Sequence, residues 1–106
     1  MMKENEKEVM TLISSAGDSR SKAFEALKAV RSHDYDKARK LIDESEKADV
    51  EAHNMQTKMI TEAIRGEDNN EVSLLMVHAQ DHYMCAELVR DVVQELIEIF
   101  NERDNN

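Results

Sequence analysis

LLMVHAQDHYMCAELVRDVVQELIEIF, residues 74–100, is the stretch on which the fold turns. At ~100° of rotation per residue, Leu74, Cys85, Val89, Val92, Leu96 and Phe100 fall together, flanked by Leu75, Leu88, Val93 and Ile99. Glu87, Arg90, Asp91, Gln94 and Glu98 take the opposite side, and Gln80 and Tyr83 also point toward it. The pattern is that of an amphipathic helix, with an apolar arc covering more than half its circumference. One partner pair in a three-helix hairpin needs a narrower stripe, so the surplus predicts packing against another copy of the chain.

His78 stands in the middle of that arc, and Asp81 and His82 flank it within the arc. Burying an unpaired carboxylate costs several kcal/mol, so Asp81 in such a place needs a partner, a proton or a cation. A structural role would pair Asp81 with a histidine that also satisfies a backbone carbonyl. Two reactive roles compete with it. Spacing of i, i+3 and i+4 lets one helix offer two imidazoles and a carboxylate to a metal. Alternatively, one imidazole takes a phosphoryl group and hands it on. That role requires an accessible ring, in a groove rather than deep inside. Cys85, set among apolar neighbours, reads as a small core residue.

Upstream, periodicity predicts two more helices. The first spans about 7–31, with Val9, Ile13, Ala16, Phe24, Leu27 and Val30 on one side. Gly17 interrupts it, and Asp18 is placed to cap a restart. Ser32-His33-Asp34 forms the turn, with Ser32 or Asp34 as N-cap and His33 simply solvated. The second helix spans about 35–65, with a stripe of Leu41, Ala48, Ala52, Met55, Met59 and Ala63 that includes Gln56. Gly66 ends it and opens the polar loop GEDNN, residues 66–70. The third runs about 71–101, and 102–106 form a fraying tail. Short connections between long helices predict antiparallel neighbours. The expectation is a single all-α domain over 1–106: an antiparallel three-helix bundle.

Composition agrees. Among 106 residues there are no Pro and two Gly, 41% are hydrophobic and 35% charged; good helix formers dominate. A formal net charge of −9 argues against nucleic acid, whose phosphates demand a basic surface, and suits a partner that presents positive charge. No apolar run approaches the ~20 residues of a membrane span, and MMKENEKEVM lacks the apolar core of a signal peptide. The single cysteine fits a reducing cytoplasm.

The residues carry a resemblance. VHAQDH (77–82) within LLMVHAQDHYM, AGDSRSKAFEAL (16–27) and AHNMQT (52–57) are similar, in order and spacing, to the blocks of the lactose/cellobiose-class enzyme IIA proteins of the bacterial sugar phosphotransferase system. The resemblance spans nearly the whole chain. It implies a homotrimer of three-helix protomers, a nine-helix bundle. It implies that His78 accepts a phosphoryl group from the phosphocarrier HPr. His78 would then pass it to a cysteine of the cognate IIB, for a disaccharide of the lactose, cellobiose or chitobiose type arriving through the membrane component IIC. It also implies that Asp81 points to the threefold axis, where three copies hold one divalent metal ion per trimer; an all-carboxylate set favours Mg²⁺. Gln80, His82 and Gln56 are expected to support the phosphoryl group, with His53 ranked lower. Met76 and Met84 are expected to supply an adaptable docking surface. Tyr83 and His33 depart from the family pattern, which has Leu and Gly there. A non-catalytic oligomeric helical module, with a structural metal at His78, Asp81 and His82, is the competing reading.

Overall fold

The computed structural model describes residues 4–66 and 73–105. They form three helices: α1 (Glu4–Arg31), α2 (Tyr35–Arg65) and α3 (Leu74–Asp104). The expected residues 71–72 of the third helix and 67–70 of the polar loop lie outside the described residues, as does Asn106. No described residue lies in a strand. The bundle is elongated, 56 × 26 × 19 Å.

The helix ends are set by local chemistry. The Asp34 carboxylate accepts from the Lys37 amide at 3.1 Å and starts α2. Gly66, at φ 70°, ends it, and its amide donates to Ala63 and Glu62. A Cβ there would meet nothing within 4 Å, so glycine serves the left-handed backbone rather than space. The Ser73 hydroxyl accepts from the Met76 amide at 3.0 Å and starts α3. At the first turn the amides of His33 and Asp34 donate to the carbonyls of Val30 and Ala29, at 3.0 and 2.9 Å. This is a Schellman closure with His33 as its left-handed residue, φ 60°.

Three expectations fail. α1 runs unbroken through Gly17, with no restart at Asp18. α3 continues to Asp104 rather than fraying from residue 102, because Asp104 is held. Its carboxylate accepts hydrogen bonds from Tyr35 Oη and from His33 Nδ1, the latter at 2.9 Å. His33 is therefore exposed but engaged, not merely solvated.

Packing relies on small residues. One core cluster joins Val9, Leu12, Ala16, Ala52, Met59, Ala79, Tyr83 and Ala86. A second joins Ala23, Ala26, Ala29, Val30, Ala38, Ile42, Val93 and Ile97. Ser19 and Ser45 are also fully buried. Ser45 Oγ donates to the Ser19 carbonyl at 2.7 Å, and the two hydroxyls are 3.0 Å apart. Alanine and serine let helix backbones approach closely. α1 lies against both other helices, and α2 and α3 touch each other least.

The rotation of α3 departs most from expectation. Its buried residues are Ala79, Tyr83, Ala86, Val93 and Ile97, a face centred ~100° from the middle of the apolar arc. Much of the arc faces outward, while Val89 and Leu96 at its middle are half-buried. Leu74, Val77, Met84, Leu88, Val92 and Ile99 are all exposed large apolar side chains, Leu74 at 85%. Cys85 is exposed with them, not a core residue. Tyr83, expected on the polar side, is 2% exposed and central to the core.

Candidate functional site

The polar cluster occupies the second and third turns of α3 after the Ser73 cap. His78 and Asp81 are exposed, while Gln80 and His82 are half-buried. The His78 and His82 rings lie parallel, 6.0 Å between centroids and 8° between planes. His82 rests against α1: its Nε2 is 3.4 Å from where a Cβ on Gly17 would stand. His82 thus turns one nitrogen inward to a backbone made accessible by glycine, and its stacked neighbour His78 is left facing solvent.

Gln56 reaches the cluster from α2, its amide donating to Gln80 Oε1 at 2.8 Å. This fulfils the expectation that Gln56 approaches the site and corrects the placement of Gln80, which bridges to α2 rather than pointing away. Asp81 Oδ1 accepts from the Cys85 thiol at 3.8 Å. His78, Asp81 and His82 do not converge on a common point. Among the described residues no group of three His, Cys, Asp or Glu side chains is placed to hold a metal ion. Met84 is 61% exposed beside the cluster, whereas Met76 is partly buried against the core.

Below the Gln pair lies a set of residues whose importance sequence reasoning missed. The Tyr83 hydroxyl donates to Glu87 Oε2 at 2.9 Å. Its single proton is thereby used, so at the 3.1 Å contact with His53 Nδ1 the imidazole is the donor. Burial, and then the Glu87 bond, push the Tyr83 phenol well above its ordinary pKa. Arg90 Nη1 meets Asp49 Oδ2 at 2.9 Å, with only 15% and 9% of the two side chains exposed. Asp49 Oδ1 is buried without a hydrogen-bond partner among the described residues. Burial raises the Asp49 pKa and outweighs the pull of Arg90. Burial pulls the guanidinium down, but Asp49 and Asp91 together offset it and the net shift is upward. The available signal was Asp49, a carboxylate next to the α2 stripe and four residues before His53.

The arrangement suits attack by an accessible imidazole on phosphorus. His78 stands just past the N-terminus of α3, and helical side chains lean toward that end. The first turn of α3 carries no acidic residue. His33, at the far end with Asp104, takes no part. Among the described residues no helix is long and apolar enough to cross a membrane.

Comparison with known proteins identifies the family of the chain. The family model described as "PTS system, Lactose/Cellobiose specific IIA subunit" matches residues 7–101. The N,N'-diacetylchitobiose-specific EIIA component of Escherichia coli (strain K12) is 46% identical over 96 residues, 91% of this chain and 82% of that protein. The crystal structure of the cellobiose-specific enzyme IIA of Bacillus anthracis superposes with a TM-score of 0.93. It is 34% identical and covers 100% of this chain and 96% of its own. A chain in the solution structures of the IIA(chitobiose)–HPr complex of Escherichia coli matches with a TM-score of 0.78. It is 38% identical and covers 97% of this chain and 99% of its own.

Proposed function

The chain belongs to the lactose/cellobiose-specific IIA family of the sugar phosphotransferase system, and from that premise we propose that His78 is its phosphoryl-accepting residue. The observation that carries the proposal is the exposed imidazole at the N-terminal end of α3, stacked on a His82 whose own Nε2 is turned toward α1. A lone pair on neutral His78 attacks the phosphorus of phospho-HPr. The new N–P bond forms as the bond to the HPr imidazole breaks, and that electron pair returns to the leaving ring. The second His78 nitrogen keeps its proton, so no net proton moves. In the onward step the thiolate of a IIB cysteine attacks the same phosphorus and the His78 N–P bond breaks. The thiol proton has already gone to solvent.

Gln80, His82 and Gln56 hold the site's shape, His82 as a ring platform and the Gln pair as a bridge to α2. Met84, with the exposed Leu75 and Val77, supplies an apolar docking surface suited to brief encounters. The sugar is a disaccharide of the lactose, cellobiose or chitobiose type, chosen by IIC, and the protein works in the cytoplasm.

The outward apolar stripe of α3 supports assembly as a homotrimeric nine-helix bundle. Fully burying one Leu, Val or Met side chain contributes roughly 1.5–3 kcal/mol, and the stripe offers several per protomer. Asp81 lies within that stripe, so assembly would bring one carboxylate from each copy toward an axis. Like charges so placed need a cation or shared protons. Three carboxylates fit a hard divalent ion, Mg²⁺ before the softer metals, which would supply neutralising charge there.

Intact mass after incubation with phosphoenolpyruvate, enzyme I and HPr tests the proposal. Wild type is expected to gain one acid-labile phosphoryl group and His78→Gln none. A folded wild type that stays unmodified would overturn it and favour the module reading. Metal content of about one ion per three chains, lost in Asp81→Asn, tests the axial site.

A further inference from the structure

The α2–α3 contact is the thinnest in the bundle, and polar side chains bridge it in register. Three successive rungs run along it: Gln56 to Gln80 at 2.8 Å, His53 to Tyr83 at 3.1 Å, and Asp49 to Arg90 at 2.9 Å. The middle rung differs in kind from the others. Tyr83 is 2% exposed, packs in the apolar core with Ala52, Ala79 and Ala86, and carries its hydroxyl out to both His53 and Glu87. It therefore anchors α3 to the core and to α2 at once.

We infer that Tyr83 is a positioning residue for phosphoryl transfer: its hydroxyl, oriented by Glu87 of its own helix and bonded across to His53 of α2, fixes the rotation of α3 about its own axis and so the direction in which His78 faces. The inference rests on His78 being the acceptor. His78 and Tyr83 are five residues apart, ~140° round the helix, so any turn that shifts the clasp swings the imidazole. With side chains ending about 5–6 Å from the helix axis, a 10° rotation moves the ring by ~1 Å. Displacement of that size can slow a positioned reaction by about 100-fold. Ala79 and Ala86 select the face that α3 buries, and the hydrogen bond from His53 to Tyr83 narrows the angle within that face.

Single-turnover transfer from phospho-HPr, well below the unfolding temperature, tests this with Tyr83→Phe, His53→Ala and the double variant. The nitrogen resonances of the His78 ring are recorded alongside. Both single variants should still be phosphorylated to completion but about tenfold more slowly, within the ceiling that ~1 Å of misplacement sets. The double variant should be no slower than the slower single one, since both remove the same rung. The His78 ring signals should shift in both. A purely structural clasp would lower Tm and leave rate and ring signals at wild-type values; either readout staying there overturns the inference. If His78→Gln still accepts phosphoryl groups, the acceptor assignment fails instead, and the ring signals alone decide whether Tyr83 orients His78.

Discussion

Replacing Arg90 with Ala should destabilise the bundle by an amount that depends steeply on pH. The guanidinium sits 2.9 Å from Asp49, whose side chain is only 9% exposed and whose Oδ1 already lacks a partner among the described residues. Without Arg90 the carboxylate stays buried and unpaired or takes up a proton. Proton uptake at pH 7 by a carboxyl of ordinary pKa ~3.9 costs about 4 kcal/mol, which caps the electrostatic loss. That cap lies within the range of about 3–5 kcal/mol seen when one partner of a buried pair is removed. At pH 5 the same arithmetic gives about 1.5 kcal/mol. The sign follows from linkage. Burial raises the folded pKa of Asp49 above its unfolded value, and removing the cation raises it further. Such a carboxyl favours folding below its unfolded pKa and opposes it as pH rises through the folded one. The deficit of Arg90→Ala should therefore shrink by up to about 2.5 kcal/mol between pH 7 and pH 5. Urea unfolding of both proteins at fixed protomer concentration, at pH 5, 6 and 7, measures it. A deficit that is flat across this range would refute the reasoning and mean that water reaches Asp49.

Gly17→Ala should be tolerated and raise Tm, since the new Cβ meets His82 Nε2 at an ordinary contact of 3.4 Å and mid-helix alanine gains up to about 1 kcal/mol. Gly17→Leu should displace the His82 ring and slow phosphorylation, as read by the same mass assay over time. Asp104 is held below its ordinary pKa by hydrogen bonds from Tyr35 and His33, so its contribution is present above the unfolded pKa and lost as pH falls through the folded one. Asp104→Asn should accordingly melt below wild type at neutral pH and converge with it in acid, by circular dichroism. Ser45→Ala removes a fully buried hydroxyl that bonds the Ser19 carbonyl at 2.7 Å and should cost about 1–3 kcal/mol in chemical denaturation; no loss would mean Ser19 finds another partner.

Much of the fold was legible because it depends on local chemistry. Asp34, Gly66 and the apolar periodicities mark where α2 begins and ends, and the observed bounds Tyr35–Arg65 follow them. The rotation of α3 was not legible, for a physical reason. Its arc is wider than one interface uses, and the face turned inward is chosen by Ala79 and Ala86, whose small side chains weigh little in a hydrophobic pattern but permit close helix contact. Large residues such as Leu88 and Met84 dominate the pattern and stay outside. The sequence anticipated that Gln56 approaches the α3 cluster, and its bond to Gln80 brings the two together. Tyr83 was placed on the wrong side by that same ~100° error in rotation, and its partners His53 and Glu87 were hidden with it. The end of α3 was misjudged because Asp104 is secured by His33 and Tyr35, some 70 residues earlier in the chain.

The clamp of Asp104 on the first turn also decides where cargo can be attached. α3 runs 26 residues from His78 to Asp104 along one continuous helix, a separation of about 39 Å at 1.5 Å per residue. Whatever is joined beyond Asp104, whether a fluorophore, an affinity handle or a second carrier domain, departs from the end of the rod remote from the imidazole. A probe there can report rotational diffusion or serve for immobilisation without shadowing the exposed His78 ring. A graft at the opposite end, near the Ser73 cap, would crowd the surface around His78.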